Sequence, residues 1–183
     1  MESYLESVEK QFIYYKTLGE RAVSQLDDAS LHWQYNEESN SIAMIIQHLA
    51  GNMLSRFTDF LTTDGEKNWR ERDKEFEIAL IDRKKLMTIW DKGWACLLET
   101  IKGLQIRDLE AIVYIRNEGH TVVEALNRQL AHYAYHIGQI VYLAKMMKND
   151  TWETLSIPRN ESMQYNQEKF RRAKIKRHFT DHP

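Results

Sequence analysis

The chain has 183 residues, a length that fits one domain with its own hydrophobic core. A hydrophobic fraction of 43% and a charged fraction of 28% are ordinary for a globular protein, and a formal net charge of -2 gives no field that would attract nucleic acid or an anionic membrane. The single cysteine, Cys96, excludes an internal disulfide and favours a reducing compartment. With no signal-peptide pattern at the N-terminus and no long apolar run, we expect a cytoplasmic protein.

Four long segments have the apolar periodicity of amphipathic helices. These predicted helices cover about residues 3–26, 39–41 to 61, 83–101 and 121–147. Residues 39–41 are good N-cap residues for the second helix, and Gly103 stands where a C-cap glycine would end the third. Thr121 and Glu124 match the capping box that begins many helices. The pattern therefore predicts an all-α fold, a four-helix bundle.

The connections between these helices are unequal. Residues 62–82 form a long, charged crossover between the second and third helices, and its Asp64-Gly65-Glu66 segment is either a cover for a site or an ordinary turn. Residues 109–119 lose the helical period and are rich in β-branched residues before a turn. We expect a short strand or β-hairpin there, before the fourth helix.

The chain changes character after residue 149. The run 169–178 is strongly basic and predicts a helical tail, so that residues 1–183 form one domain with a basic C-terminal extension from about residue 160. This tail is either a contact for an anion or an acidic partner, or it is a solvated terminal helix or a frayed tail. We favour the solvated helix or frayed tail.

Two histidines of the fourth predicted helix carry the clearest chemical signal. His132 and His136 are four residues apart, so both imidazoles lie on one helix face, one turn apart. His48 lies in the second predicted helix. Three neutral imidazoles from two neighbouring helices can bind one transition metal ion and leave coordination positions for water or substrate. The alternative is that they are polar residues on a wet or partly buried face.

Several other metal and cofactor chemistries are excluded by the spacing. Tyr133 follows His132 where a His-Glu-x-x-His protease has glutamate, and none of the three histidines has the preceding glutamate of a di-iron bundle. We see neither a Walker loop nor a dinucleotide-binding glycine motif. Cys96 stands in an apolar helical stretch and is interpreted as a small core residue. The remaining histidines are not expected to be ligands: His32, His120, His178 and His182.

Four polar side chains lie near the histidines on the helices. Asn52 and Arg56 follow His48 by one and two turns, and Gln129 and Gln139 flank the histidine pair by three residues on each side. Each is a candidate for the substrate pocket or for orienting a histidine, and Arg56 is suited to an anionic substrate. The alternative for Asn52 and Arg56 is a salt bridge or an interhelical contact.

Two glycines inside helices, Gly51 and Gly138, suggest that helices approach closely near the site, since each costs about 1 kcal/mol of helix propensity.

The order of these elements resembles the DinB/YfiT-like superfamily of four-helix metalloproteins, and within it a bacterial subfamily of unknown function. The resemblance covers roughly residues 39–159. It rests on the order and spacing of short motifs: Ser39-Asn-Ser-Ile42, His48-Leu-Ala-Gly-Asn-Met53, Ser55-Arg56, Asp59-Phe60, Thr63-Asp-Gly-Glu66, Arg72-Asp73, Phe76, His132-x-x-x-His136-Ile-Gly-Gln-Ile140 and Leu155-Ser-Ile-Pro-Arg159.

The resemblance implies a bundle of DinB type in which His48, His132 and His136 bind a divalent transition metal ion, zinc or nickel. It also implies a small-molecule substrate and a homodimer, with no nucleic-acid or membrane partner. Characterised relatives include S-transferases and isomerases that use low-molecular-weight thiols such as bacillithiol, mycothiol or glutathione. We therefore expect a metal-dependent enzyme, with a thiol S-transferase as the leading candidate. The alternative is a non-catalytic, metal-binding homodimeric module, and a metal-dependent hydrolase has no specific support.

Overall fold

The computed structural model describes residues 2–77 and 81–181, and most of these residues are helical. The elements in chain order are α1 (Glu2–Val23), α2 (Asp28–Leu31), α3 (Ile42–Phe57), α4 (Arg83–Gly103), β1 (Ile112–Ile115), β2 (Glu118–Thr121), α5 (Val122–Lys148) and α6 (Ser162–Phe170). The four long helices, α1, α3, α4 and α5, correspond to the four periodic segments. α3 ends at Phe57, four residues before its expected end, and α2 has no counterpart in the sequence prediction.

Side-chain caps define where the long helices begin. The Ser41 hydroxyl accepts the Met44 N–H at 3.2 Å, as expected of an N-cap serine. At the start of α5, the Thr121 hydroxyl and the Glu124 carboxylate each accept the other residue's backbone N–H, so the predicted capping box is present. Gly103 is the last residue of α4 and does not adopt the left-handed conformation, so its predicted role as a C-cap glycine is wrong.

The long helices bury a shared core. α3 packs along α4, and α1 packs along α5, with further contacts between α1 and α4 and between α3 and α5. Aromatic rings fill the centre, where Phe12, Trp94 and Tyr133 make mutual contacts and Trp90 joins through Trp94. Thirteen of the sixteen residues of α3 are buried, so this helix is enclosed on almost every face. In the part of the chain that the structure describes, no helix has the length and apolar character of a bilayer span.

The predicted hairpin is present, and the crossover is attached to it. β1 and β2 pair antiparallel through a turn at Arg116 and Asn117, whose φ angles of 57° and 64° both lie in the left-handed region that a type I′ turn requires. The Asp64 carboxylate accepts the backbone N–H groups of both turn residues, at 2.9 and 2.8 Å. The Gly65 N–H donates to the Tyr114 carbonyl at 2.7 Å. The Asp64-Gly65-Glu66 segment therefore anchors the hairpin.

The basic tail differs from the prediction. α6 ends at Phe170, and residues 171–181 are not helical, so the predicted helix over 169–178 is wrong beyond its first two residues. Like charges one turn apart oppose a helix here. His178 and Phe179 lie against α1, with the His178 ring 2.9 Å from the Ser7 hydroxyl and the Phe179 ring centroid 5.6 Å from that of Tyr14.

The contact between α3 and α4 depends on Gly93. A Cβ atom at this position would lie 2.9 Å from the Ala50 Cα, a distance that only a backbone shift can relieve. We expect Gly93→Ala to lower the free energy of unfolding by about 1–3 kcal/mol, although alanine is the better helix former. Gly138 provides the control, since it is exposed on α5 and its Cβ would meet no neighbouring group within 4 Å.

We expect Gly138→Ala to raise the free energy of unfolding by about 1 kcal/mol. Urea denaturation followed by circular dichroism measures both values. Equal stabilisation by the two substitutions would show that α3 and α4 are not in close contact at Gly93.

Candidate metal centre

Three imidazoles from two helices meet at one point. The Nε2 atom of His132 lies 3.3 Å from Nε2 of His48 on α3 and 3.0 Å from Nε2 of His136 on α5. One ligand atom from each ring lies within 4.8 Å of the others, and no other group of three or more such residues occurs among the described residues. His48 and His136 are buried, whereas His132 is half-buried. The structure thus brings together the three histidines selected from the sequence.

The spacing of these nitrogens fits a shared metal ion. Two nitrogens that each bind one tetrahedral zinc ion at about 2.0–2.1 Å lie roughly 3.3 Å apart. The contacts of His132 Nε2, at 3.3 and 3.0 Å, are close to that distance. The described residues therefore offer three nitrogen donors for one ion, a donor set that suits several divalent transition metals.

The outer nitrogens of two rings are held by hydrogen-bond acceptors. His48 Nδ1 donates to the Glu75 carboxylate at 2.9 Å, and His136 Nδ1 donates to the Gln139 side-chain oxygen at 2.7 Å. Each acceptor keeps the ring proton on Nδ1 and leaves an Nε2 lone pair directed at the other rings. Without a cation His132 Nε2 can donate to only one of these lone pairs, so the arrangement favours a bound positive ion.

The electrostatic environment keeps the rings of the pair neutral. Burial, followed by the neighbouring His136 and His48, lowers the pKa of His132 to about 3. Burial also lowers the pKa of His136 to about 4, together with His48 and against the opposing effect of the Gln139 hydrogen bond. Both imidazoles are therefore uncharged at neutral pH, the form in which histidine binds a metal.

The two candidates on α3 are already bonded within the protein. The Asn52 side-chain oxygen accepts the Tyr133 hydroxyl at 2.9 Å, which satisfies a phenol buried in the core. The Arg56 guanidinium donates to the Gly65 carbonyl and to the Glu66 carboxylate, the latter at 3.2 Å. The interhelical contact and the salt bridge considered as alternatives are thus the contacts observed, and neither side chain bonds a histidine.

The two glutamines on α5 differ from each other. Gln139 bonds His136 through its oxygen and donates from its nitrogen to the Tyr135 hydroxyl at 3.0 Å, so it fixes one ring of the group. Gln129 is buried, and its side-chain oxygen has no hydrogen-bond partner. It therefore does not orient His132 or His136 through that oxygen.

Sequence reasoning missed the crossover residues that surround His48. Glu75 binds the ring, and Arg70 binds Glu75 with two parallel hydrogen bonds of 2.8 and 2.9 Å. The Phe76 ring lies with its centroid 4.8 Å from that of His48. The signal in the sequence that pointed to these residues was Gly51, where a Cβ would lie 2.2 Å from the Glu75 carboxylate oxygen. The space at Gly51 is occupied by the Glu75 side chain, not by a neighbouring helix, so the close helix approach predicted there is wrong.

Gly138, His32, His120 and Cys96 contribute no ligand to the metal group. Gly138 has open space around it, so the close helix approach predicted there is wrong. His32 bonds the Ile81 carbonyl, His120 bonds Arg128, and neither joins the metal group. His182 lies outside the described residues. Cys96 is half-buried, and burial raises the pKa of its thiol, which disfavours a nucleophilic thiolate.

Comparison with known proteins places the chain in a family. Its residues 1–161 match a family described as proteins of unknown function, DUF1572. No curated protein matches the chain. The match covers the whole of the metal group and the crossover and ends before α6, so the last 22 residues lie outside it. The chain belongs to the DUF1572 family, which is part of the DinB/YfiT-like clan.

Proposed function

We propose that the chain is a divalent-metal-dependent enzyme in which His48, His132 and His136 bind zinc or nickel within a four-helix bundle of DinB type. The observation that carries this proposal is the convergence of three Nε2 atoms while Glu75 and Gln139 hold the Nδ1 protons of two of the rings. Hydrogen bonds of this kind are the usual support of histidine ligands. Membership of the DinB/YfiT-like clan supports the same reading.

The arrangement of the three rings is suited to catalysis rather than to a closed structural site. Three protein ligands leave coordination positions for water or substrate, whereas structural zinc sites use four. When bound, a divalent ion supplies Lewis acidity that lowers the pKa of a coordinated thiol or water. His132 is half-buried, so the group is partly exposed to solvent on its side. The buried His48 and His136 are held in place by their acceptors.

The proposed reaction is conjugation of a low-molecular-weight thiol of the bacillithiol, mycothiol or glutathione type with an electrophilic small molecule. The thiol loses its proton to solvent, and its sulfur bonds the electrophilic carbon as a leaving group departs. The substrate thiol would become the nucleophile, since the protein's own thiol, Cys96, has a raised pKa and lies outside the metal group. The neutral rings of His132 and His136 add no positive charge that would compete with a cation at neutral pH.

We also propose that the protein is a homodimer that associates through the exposed face of α5. Tyr135, Tyr142 and Met146 lie on this face at helical spacing and are 61%, 66% and 43% exposed. Large apolar side chains repeated along one exposed helix face are typical of protein interfaces.

The first test is metal content. We expect the protein purified without added metal, analysed by elemental mass spectrometry, to bind one zinc or nickel ion per chain. His132→Ala should lower the affinity more than ~100-fold, since even hydrogen-bond partners of ligands change it about 10–100-fold. His120→Ala is the control, because that ring bonds Arg128 away from the group. Equal metal content in both variants would contradict the assignment.

The second test is turnover. Metal-loaded protein is screened with bacillithiol-type and other small thiols against a panel of electrophiles, and conjugates are detected by mass spectrometry. We expect conjugation by the wild type and by His120→Ala, and its loss in His132→Ala with the helical circular dichroism unchanged. A metal-loaded wild type that shows no turnover here or in a hydrolase panel would favour the non-catalytic binding module.

The third test is oligomeric state by light scattering. We expect a dimer mass for the wild type and a monomer mass for Tyr142→Glu, because a charge in the apolar stripe of α5 would be desolvated in the interface. Tyr35→Glu is the matched control, since Tyr35 is 71% exposed in the segment after α2. A monomeric wild type at working concentrations would reject the dimer.

A further inference from the structure

The crossover reaches the metal group through a chain of buried charges. The Glu75 side chain is 10% exposed and accepts a hydrogen bond from His48 Nδ1 at 2.9 Å. The Arg70 side chain is only 2% exposed and donates to both oxygens of the same carboxylate. Arg70 also lies 3.8 Å from Glu66, and Glu66 bonds Arg56 of α3 at 3.2 Å. The charges alternate along this path, so each buried group has an opposite charge beside it.

The far end of this path is fixed to the hairpin. Glu66 accepts the Arg116 guanidinium at 3.1 Å, and its backbone N–H donates to Asp64 at 2.7 Å. Asp64 in turn holds the turn between β1 and β2. The segment from residue 64 to Glu75 is therefore anchored at the hairpin and ends at the ring of His48.

The backbone of α3 is shaped to admit the carboxylate. Gly51 lies three residues after His48, and a Cβ there would overlap the Glu75 Oε1 atom at 2.2 Å. The overlap involves only the far end of a flexible side chain, so an alanine at position 51 would displace the carboxylate without opening the helix pair. Gly51 thus makes the Glu75–His48 hydrogen bond possible.

We propose that Glu75 is a positioning residue for His48 and that, through Arg70 and Glu66, the crossover sets the metal affinity of the centre. This inference rests on the proposed metal site. A carboxylate on Nδ1 fixes the tautomer and orientation of the imidazole and makes Nε2 more basic. Arg70 keeps the carboxylate aimed at the ring, since a bidentate pair has one preferred geometry. Two separate substitutions, one in each partner element, should therefore weaken metal binding in the same way.

The experiment measures zinc affinity by competition with a chromophoric chelator for Glu75→Gln, Gly51→Ala and the double variant. We expect each single variant to bind zinc about 10–100-fold more weakly, the range typical for loss of such a hydrogen-bond partner. The double variant should be little weaker than either single variant, because both remove one contact. Glu71→Gln is the control, since Glu71 is exposed on the same crossover and bonds only Lys74 among the described ion pairs.

A second readout does not involve metal. Imidazole nitrogen chemical shifts of the metal-free protein report which ring nitrogen carries the proton. We expect His48 to be protonated at Nδ1 in the wild type and in Glu71→Gln, and to lose this preference in Gly51→Ala, where Glu75 is intact but displaced. Wild-type affinity and an unchanged His48 tautomer in Gly51→Ala and Glu75→Gln would overturn the inference. Absence of zinc binding by the wild type would instead reject the metal site, and the tautomer measurement would still test the positioning role.

Discussion

The packing of α5 and the crossover around α3 depends on one constraint: the polar side chains of α3 need hydrogen-bond partners, although this helix is almost completely buried. α3 is buried on nearly every face, yet it carries four buried polar side chains: His48, Asn52, Ser55 and Arg56. A buried polar group without a partner costs about 1–3 kcal/mol, so each needs an acceptor or donor from a neighbouring element. Two of them bond α5, and three bond the crossover. These bonds orient α5 and the crossover around α3 and bring the histidines together.

The helical framework and the histidine group could be predicted from the sequence because both depend on local spacing. Apolar periodicity located the four long helices. The N-cap candidates at residues 39–41, of which Ser41 is the cap, and the capping box at Thr121 located two of their starts. His132 and His136 share a face in any α-helix, so their proximity follows from their separation alone. The prediction that His48 lies near this pair needed one further assumption, that α3 lies beside α5. The packing of the two helices agrees with that assumption.

The surroundings of the histidines could not be predicted because they depend on contacts between distant parts of the chain. Residues 62–77 have no period that marks a buried face, so the burial of Arg70 and Glu75 in this charged segment is not visible in sequence. Arg56 illustrates the same limit. Its position on the helix was correct, but whether it met a substrate or the Glu66 carboxylate depended on where the crossover runs. The helix prediction beyond Phe170 is wrong for another reason. The basic run was interpreted as a helix, but like charges one turn apart repel each other along a helix.

The residue types at positions 70 and 75 are better explained by the requirement of His48 than by core stability. A buried ion pair is often matched or exceeded in stability by well-packed apolar residues, so stability alone would not select one. An apolar residue at position 75 would leave His48 Nδ1–H without an acceptor, at a cost of about 1–3 kcal/mol. A carboxylate satisfies it but must remain ionised. Burial alone would raise the pKa of Glu75, and the hydrogen bonds from His48 and Arg70 outweigh burial and lower it. Arg70 therefore keeps the Glu75 carboxylate ionised beside the imidazole. The Arg70–Glu75 ion pair is explained by the need of His48 Nδ1–H for an acceptor.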